Sequence, residues 1–259
     1  MAEPLRNYQT RVAAGARADA SIDLGLRAYM IRVYNLMALG LAITGLAALG
    51  TVMMATTGDP SAAVATLPNG KMLTNLGVAL YGSPLRWVVM LAPLAMVFFL
   101  SFRVQKMSLS AAQTTFWAFA AAMGISISSI FLVYTSASIV QTFFITAASF
   151  GALSLWGYTT KRDLTGMGSF LFMGLIGLIL AMVVNIFLAS SALQFAISAI
   201  GVLIFAGLTA YDTQQIKEMY YEGDGTLVAG RKAIMGALRL YLDFLNMFMF
   251  LLQFLGNRE

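Results

Sequence analysis

Two carboxylates stand in or at the edge of long apolar runs: Asp212, in Ala210-Tyr-Asp-Thr-Gln, and Asp243, in Leu240-Tyr-Leu-Asp-Phe-Leu-Asn. A charge at membrane depth is costly, and a chain that keeps one there keeps it for a partner or a function. If the two approach each other in a poorly solvated site, they cannot comfortably both ionise, and they share a proton. Such a pair is a pH switch. At low pH the shared proton clasps the two segments together; at higher pH its loss drives them apart or admits a cation between them. Calcium prefers oxygen ligands, so two carboxylates with neighbouring hydroxyls and carbonyls suit it.

Other polar groups fall around these two. On a helical wheel Arg239, Asp243, Asn246 and Gln253 lie within an arc of about 80°. Ser198, Thr209 and Asp212 align loosely on one face of the preceding segment. Arg239 is a candidate counter-charge, and Asn246, Thr209 and Asn185 are candidate pore-lining groups. A plainer role fits the same residues. Asp243 neutralises Arg239 one turn before it, Asp212 binds helix ends, and Asn185, Ser126, Ser128 and Ser129 bond neighbouring helices.

The elements that must carry these groups follow from composition. Of 259 residues, 59% are hydrophobic and 10% charged, too apolar for a domain whose surface meets water. The sequence has no cysteine and no histidine. Disulfides, thiolate or imidazole metal sites, Cys nucleophiles and Ser-His-Asp triads are therefore excluded. The basic residues are dispersed among apolar spans rather than clustered with aromatics, which argues against nucleic acid. A helix needs roughly 20 apolar residues to cross a bilayer. Runs of that size lie near 33–55, 86–102, 111–133, 138–158, 167–189, 193–213 and 233–255. The reading is an all-α, polytopic membrane protein of seven transmembrane helices, residues 33–259, behind a tail at 1–32. The semi-apolar stretch 72–85 reads as an interfacial or re-entrant piece that Pro84 breaks.

Lys and Arg gather on alternate loops. One side receives Arg6, Arg11, Arg17, Arg27 and Arg32 of the tail, then Arg103, Lys106, Lys161, Arg162, Lys217, Arg231, Lys232 and Arg239; the other has Lys71, Arg86 and Arg258. The positive-inside rule places the N-terminus in the cytoplasm and the C-terminus outside. The tail precedes a run long enough to span, so it reads as retained rather than as a cleaved signal. Its portion from Val12 to Arg32 suits either an amphipathic helix on the inner leaflet or a flexible arm. Trp87, Trp117 and Trp156 read as anchors near span ends. On these boundaries Asp212 lies about 7 Å inside the cytoplasmic limit of its span and Asp243 about 15 Å from the start of the last.

Four stretches carry a resemblance: Arg32-Val-Tyr-Asn-Leu-Met-Ala-Leu-Gly-Leu, Tyr158-Thr-Thr-Lys-Arg-Asp-Leu-Thr, Ala210-Tyr-Asp-Thr-Gln-Gln-Ile-Lys and Leu240-Tyr-Leu-Asp-Phe-Leu-Asn-Met-Phe. Together they resemble the Bax inhibitor-1 family, the transmembrane Bax inhibitor motif proteins, in a bacterial version. The resemblance implies a seven-helix bundle with the last helix central, acting as a pH-sensitive calcium leak in a bacterial inner membrane. It maps the family's di-aspartyl sensor onto Asp212 and Asp243. It maps an arginine at the cytoplasmic end of the second span, able to engage that sensor, onto Arg103. Some bacterial members carry an acid about three turns before that arginine; the stretch around Ala92 has none.

Three functions compete on these residues. The first is a cation leak gated by protonation of the aspartate pair, with calcium and protons as its small partners and no required cofactor. The second is a non-conducting regulator that binds a membrane protease or another membrane protein, a partnership the resemblance also implies. The third, an intramembrane aspartyl protease, is disfavoured because Leu240-Tyr-Leu stands where such enzymes carry Gly-x-Gly before the second aspartate. A retinal receptor fails because the last span has no interior lysine for a Schiff base. The chain is read as a non-enzyme.

Overall fold

In hydrocarbon every backbone amide must be satisfied within the protein, and an apolar run of span length does so as a helix. The computed structural model describes the backbone of residues 3–258 and the side chains of residues 24–258. Helix α1 (Glu3–Ala55) passes without a break through the expected tail boundary at 32. The amphipathic face expected from Val12 falls largely on side chains outside the described residues.

Between α1 and the second span the chain makes β1 (Thr56–Thr57), β2 (Ala65–Thr66) and β3 (Met72–Leu73), an antiparallel sheet in the order β1-β3-β2. A single turn, α2 (Asn75–Gly77), and a wide turn over Val78–Gly82 follow. The stretch 72–85 is thus a strand and a capped turn that ends at Gly82, with Ser83 extended ahead of Pro84, where the break was expected. Pro84 is the N-cap of α3 (Leu85–Arg103), a place where its missing N–H costs nothing. Thr74 fixes the turn, donating from its hydroxyl to Met54 O and from its backbone N–H to Ala55 O.

The remaining helices are α4 (Leu109–Ile127), α5 (Ile130–Val133), α6 (Ser136–Thr159), α7 (Thr165–Leu188), α8 (Ser191–Glu218) and α9 (Thr226–Leu255). Ser108, Thr135 and Ser190 cap α4, α6 and α8, each accepting the backbone N–H of the residue three positions on. Ahead of α7 the exposed Asp163 carboxylate accepts from Thr165 N. Hydrogen bonds from the Thr165 side chain and backbone hold that carboxyl below its usual range. This bond is present at neutral pH and is lost as pH falls through the acid range.

Among the described residues seven helical spans are long and apolar enough to cross a membrane: Leu24–Ala55, Leu85–Lys106, Leu109–Val133, Ser136–Thr159, Thr165–Leu188, Ser191–Glu218 and Thr226–Leu255. Their number and order are those expected from the sequence. Their ends differ. At the basic end α8 runs on to Glu218 and α9 starts at Thr226, because apolarity marks where lipid lies and not where a helix stops. The polar loop expected between the last two spans shrinks to residues 219–225, pinned by Lys232 Nζ on Met219 O and on the Asp224 carboxylate.

Helix α9 is the centre of the bundle, packed by α1, α4, α6 and α8. In its most apolar stretch 72% of residues are buried, against 39% at most in any other span. Phe244 meets Phe143 and Phe150 of α6 edge-on, and the Tyr241 ring meets Phe116 and Phe119 of α4. The Tyr241 hydroxyl lies 2.6 Å from Thr44 Oγ1 of α1, fully buried. Tyr241→Phe should keep the fold and lower its stability by about 1 kcal/mol, the usual size of an interhelical hydrogen bond in lipid, read by denaturant titration in detergent. Trp117 departs from its expected interfacial place: it lies midway along α4 with its indole nitrogen buried and without a partner among the described residues.

Candidate functional site

Helices α8 and α9 run antiparallel, and two glycine contacts fix their register. A Cβ on Gly236 would lie 3.0 Å from Ile216, and one on Gly201 would lie 2.6 Å from the Phe250 ring. This register leaves Asp212 and Asp243 about one helical turn apart along the bundle, near enough for their side chains to interact, which the different depths expected from the sequence did not require. The two carboxyls come within hydrogen-bonding reach of each other. Asp243 is 4% exposed and Asp212 is half-buried. Counted as an ionised group, Asp243 leaves Oδ2 buried with no donor among the described residues, an expensive condition. A hydrogen bond between two carboxyls exists only when one of them carries a proton, so the geometry suits a protonated clasp.

The pair lies in the wall of a cavity of about 840 Å³ between α7, α8 and α9. Arg239, Asn246, Tyr211 and Ser169 share that wall with a larger apolar lining from α7. The charge of Arg239 acts on both aspartates, yet no direct ion pair joins it to either among the described residues. Asn246 donates from Nδ2 to Leu242 O.

The other candidates lie elsewhere. Thr209 is fully buried, donates to Phe205 O at 2.8 Å and does not line the cavity. Asn185 is one turn from the far end of α7, where Oδ1 accepts from Ser190 N and Nδ2 donates to Gln194 Oε1. It holds the turn in which Ala189 takes φ 47°, a left-handed conformation that needs such support. Arg103 is exposed at the end of α3 and lies outside the cavity. The stripe on α9 is split as well. Gln253 belongs to an amide cluster with Gln194 and Ser198 at the far end. Between cluster and cavity stands Phe250, seated on Gly201 and stacked on Phe205 with 5.8 Å between ring centroids.

A family model described as "Inhibitor of apoptosis-promoting Bax1" matches residues 26–259. The chain belongs to the Bax inhibitor-1 family. It is similar to the inner membrane protein YbhL of Escherichia coli, 46% identical over 94% of this chain and 98% of YbhL. A Caulobacter vibrioides protein is 46% identical over 98% of both chains, and a Rickettsia prowazekii protein 45% identical over 96% of this chain and 98% of its own length.

The structure gives the motifs that carried the Bax inhibitor-1 resemblance a physical reason. In the α8 motif, Asp212 turns to α9 and the Thr213 hydroxyl lies 2.9 Å from Ser154 of α6. Gln214 accepts from Leu164 N and donates to Arg162 O, holding the α6–α7 loop. Lys217 donates to Tyr158 O at the end of α6. In the first motif Tyr34 of α1 reaches the same Ser154 at 2.6 Å. Sequence reasoning had no signal for this hydroxyl chain, since Ser154 and Thr213 look like ordinary small residues of apolar spans. The polar Gln-Gln pair after Asp212 was the visible hint.

Proposed function

We propose that this Bax inhibitor-1 family protein is a pH-sensitive cation leak of the bacterial inner membrane, with calcium as its cargo and Asp212 and Asp243 as the proton-operated gate. The observation that carries the reading is the pair of carboxyls in hydrogen-bonding reach across α8 and α9 in the wall of a cavity. Loss of the shared proton replaces an attraction by repulsion between two carboxylates, so the clasp weakens and flux rises as pH rises. Arg239 moderates that repulsion. The route runs from the cavity past Phe250 to the amide cluster at Gln253, and Phe250 is its dry constriction.

The basic ends of α1, α3, α6, α8 and α9 face the cytoplasm in this reading, with the C-terminal residues outside. The cation is cargo and not a resident cofactor: two carboxyls beside an arginine fall short of the six to eight oxygens calcium takes, and no group of three or more acidic ligands occurs among the described residues. No catalytic step is assigned to the pair.

The test is radiolabelled calcium flux into liposomes carrying the purified protein, from mildly acidic to mildly alkaline pH. Flux is expected to increase several-fold over the series and to stay flat in protein-free vesicles. Absence of flux at every pH would sink the reading, and a stoichiometric membrane partner in a pull-down would then favour the non-conducting regulator.

A further inference from the structure

A second cavity, of about 600 Å³, opens between α1 and α6 and shares no lining residue with the first. Its charge lies at one end only. Arg27 stands at the basic end of the α1 span, and Lys217 holds its ammonium 5.2 Å over the ring of Tyr158, which also lines the cleft. No acidic side chain among the described residues lines it. From Arg27 to Tyr34 the wall descends seven residues, about 10 Å along the helix, past Met30 and Ile31 and against Phe150 and Leu155 of α6. At the floor the Tyr34 hydroxyl meets Ser154. Gly151 leaves the cleft open: a Cβ there would meet nothing within 4 Å.

We propose that this cleft is a binding site for an anionic phospholipid, its phosphate on Arg27 and Lys217 and one acyl chain along Gly151. A phospholipid has this gradient of charge over hydrocarbon, and the volume lies within the range of about 300–1,000 Å³ found for small-molecule sites, room for one acyl chain. A zwitterionic lipid fills the same groove but brings a cation to a cationic rim, so the site discriminates by headgroup charge. The lipid joins α1 to α6 beside the Tyr34–Ser154–Thr213 hydroxyl chain, and its binding stabilises the folded bundle by linkage.

The experiment compares thermal unfolding of the full-length protein in micelles supplemented with phosphatidylglycerol, with phosphatidylethanolamine of the same chains, or with inorganic phosphate. Phosphatidylglycerol is expected to raise the midpoint by several degrees more than phosphatidylethanolamine, and phosphate alone to leave it unchanged. Arg27→Gln should abolish that preference through the headgroup. Gly151→Leu should abolish it by occupying the groove, while its midpoint in phosphatidylethanolamine stays at or above that of the wild type, which shows that the variant folds. Equal stabilisation by the two lipids, an effect of phosphate alone, or a preference that survives both substitutions would each overturn the proposal.

Discussion

Asp243→Asn is expected to flatten the pH response of calcium flux and hold it near its low-pH level, with the bundle still folded. The asparagine has the carboxyl's shape and brings an N–H that Asp212 can accept at any pH. The clasp between α8 and α9 then no longer depends on a proton. Asp243→Ala should act in the opposite direction, because it removes the partner and leaves α8 and α9 unclasped at acidic pH too. An interhelical hydrogen bond in lipid contributes about 1–2 kcal/mol at most, and energies of that size change a two-state ratio roughly 5- to 30-fold. Flux through Asp243→Ala at acidic pH should therefore rise by about that factor over the wild type. Asp212→Asn should resemble Asp243→Asn, since either group serves as the permanent donor. If Asp243→Asn and Asp243→Ala change flux in the same direction, the pair is not a clasp. If both follow the wild-type pH profile, protonation of the pair does not gate the path.

The seven spans were legible because hydrocarbon leaves few choices: runs of apolar residues about 20 long must be helices, and the alternation of Lys and Arg separates them. Asp243 stood out as well, since a carboxylate in the middle of Leu, Met and Phe is costly in lipid unless it has a partner such as Arg239 or a function. What brings Asp212 beside it is the packing register of α8 on α9, which depends on the shape of Gly236 against Ile216 and of Gly201 against Phe250. No periodicity reveals that. The wheel on α9 grouped Arg239, Asp243, Asn246 and Gln253 by azimuth, and the structure sets the first three on one cavity and Gln253 in the amide cluster beyond Phe250, because a wheel knows azimuth and not what stands between two turns. Thr209 and Asn185 show the same limit from the other side. Each has a local backbone partner, and local bonds of this kind compete with any wider role for a short polar side chain.

Gly157→Ala is expected to destabilise the protein while Gly151→Ala, six residues earlier on the same helix, stabilises it. A Cβ on Gly157 would lie 2.2 Å from Ala210 O and 2.9 Å from the Ala210 carbonyl carbon and Cα. These are backbone atoms of α8, with no rotamer to yield, so α6 and α8 must separate. Overpacking of this kind costs about 1–3 kcal/mol. The separation also strains the Lys217–Tyr158 and Ser154–Thr213 contacts on either side, and it moves the backbone two residues before Asp212. At Gly151 the added methyl meets open space, and replacing a helical glycine by alanine is then favourable by roughly 0.5–1 kcal/mol. Denaturant titration of both variants in the same detergent reads the contrast directly. Equal stabilities would mean that α6 and α8 are not in backbone contact at Ala210, and the anchoring assigned to the α8 motif would fall with that contact.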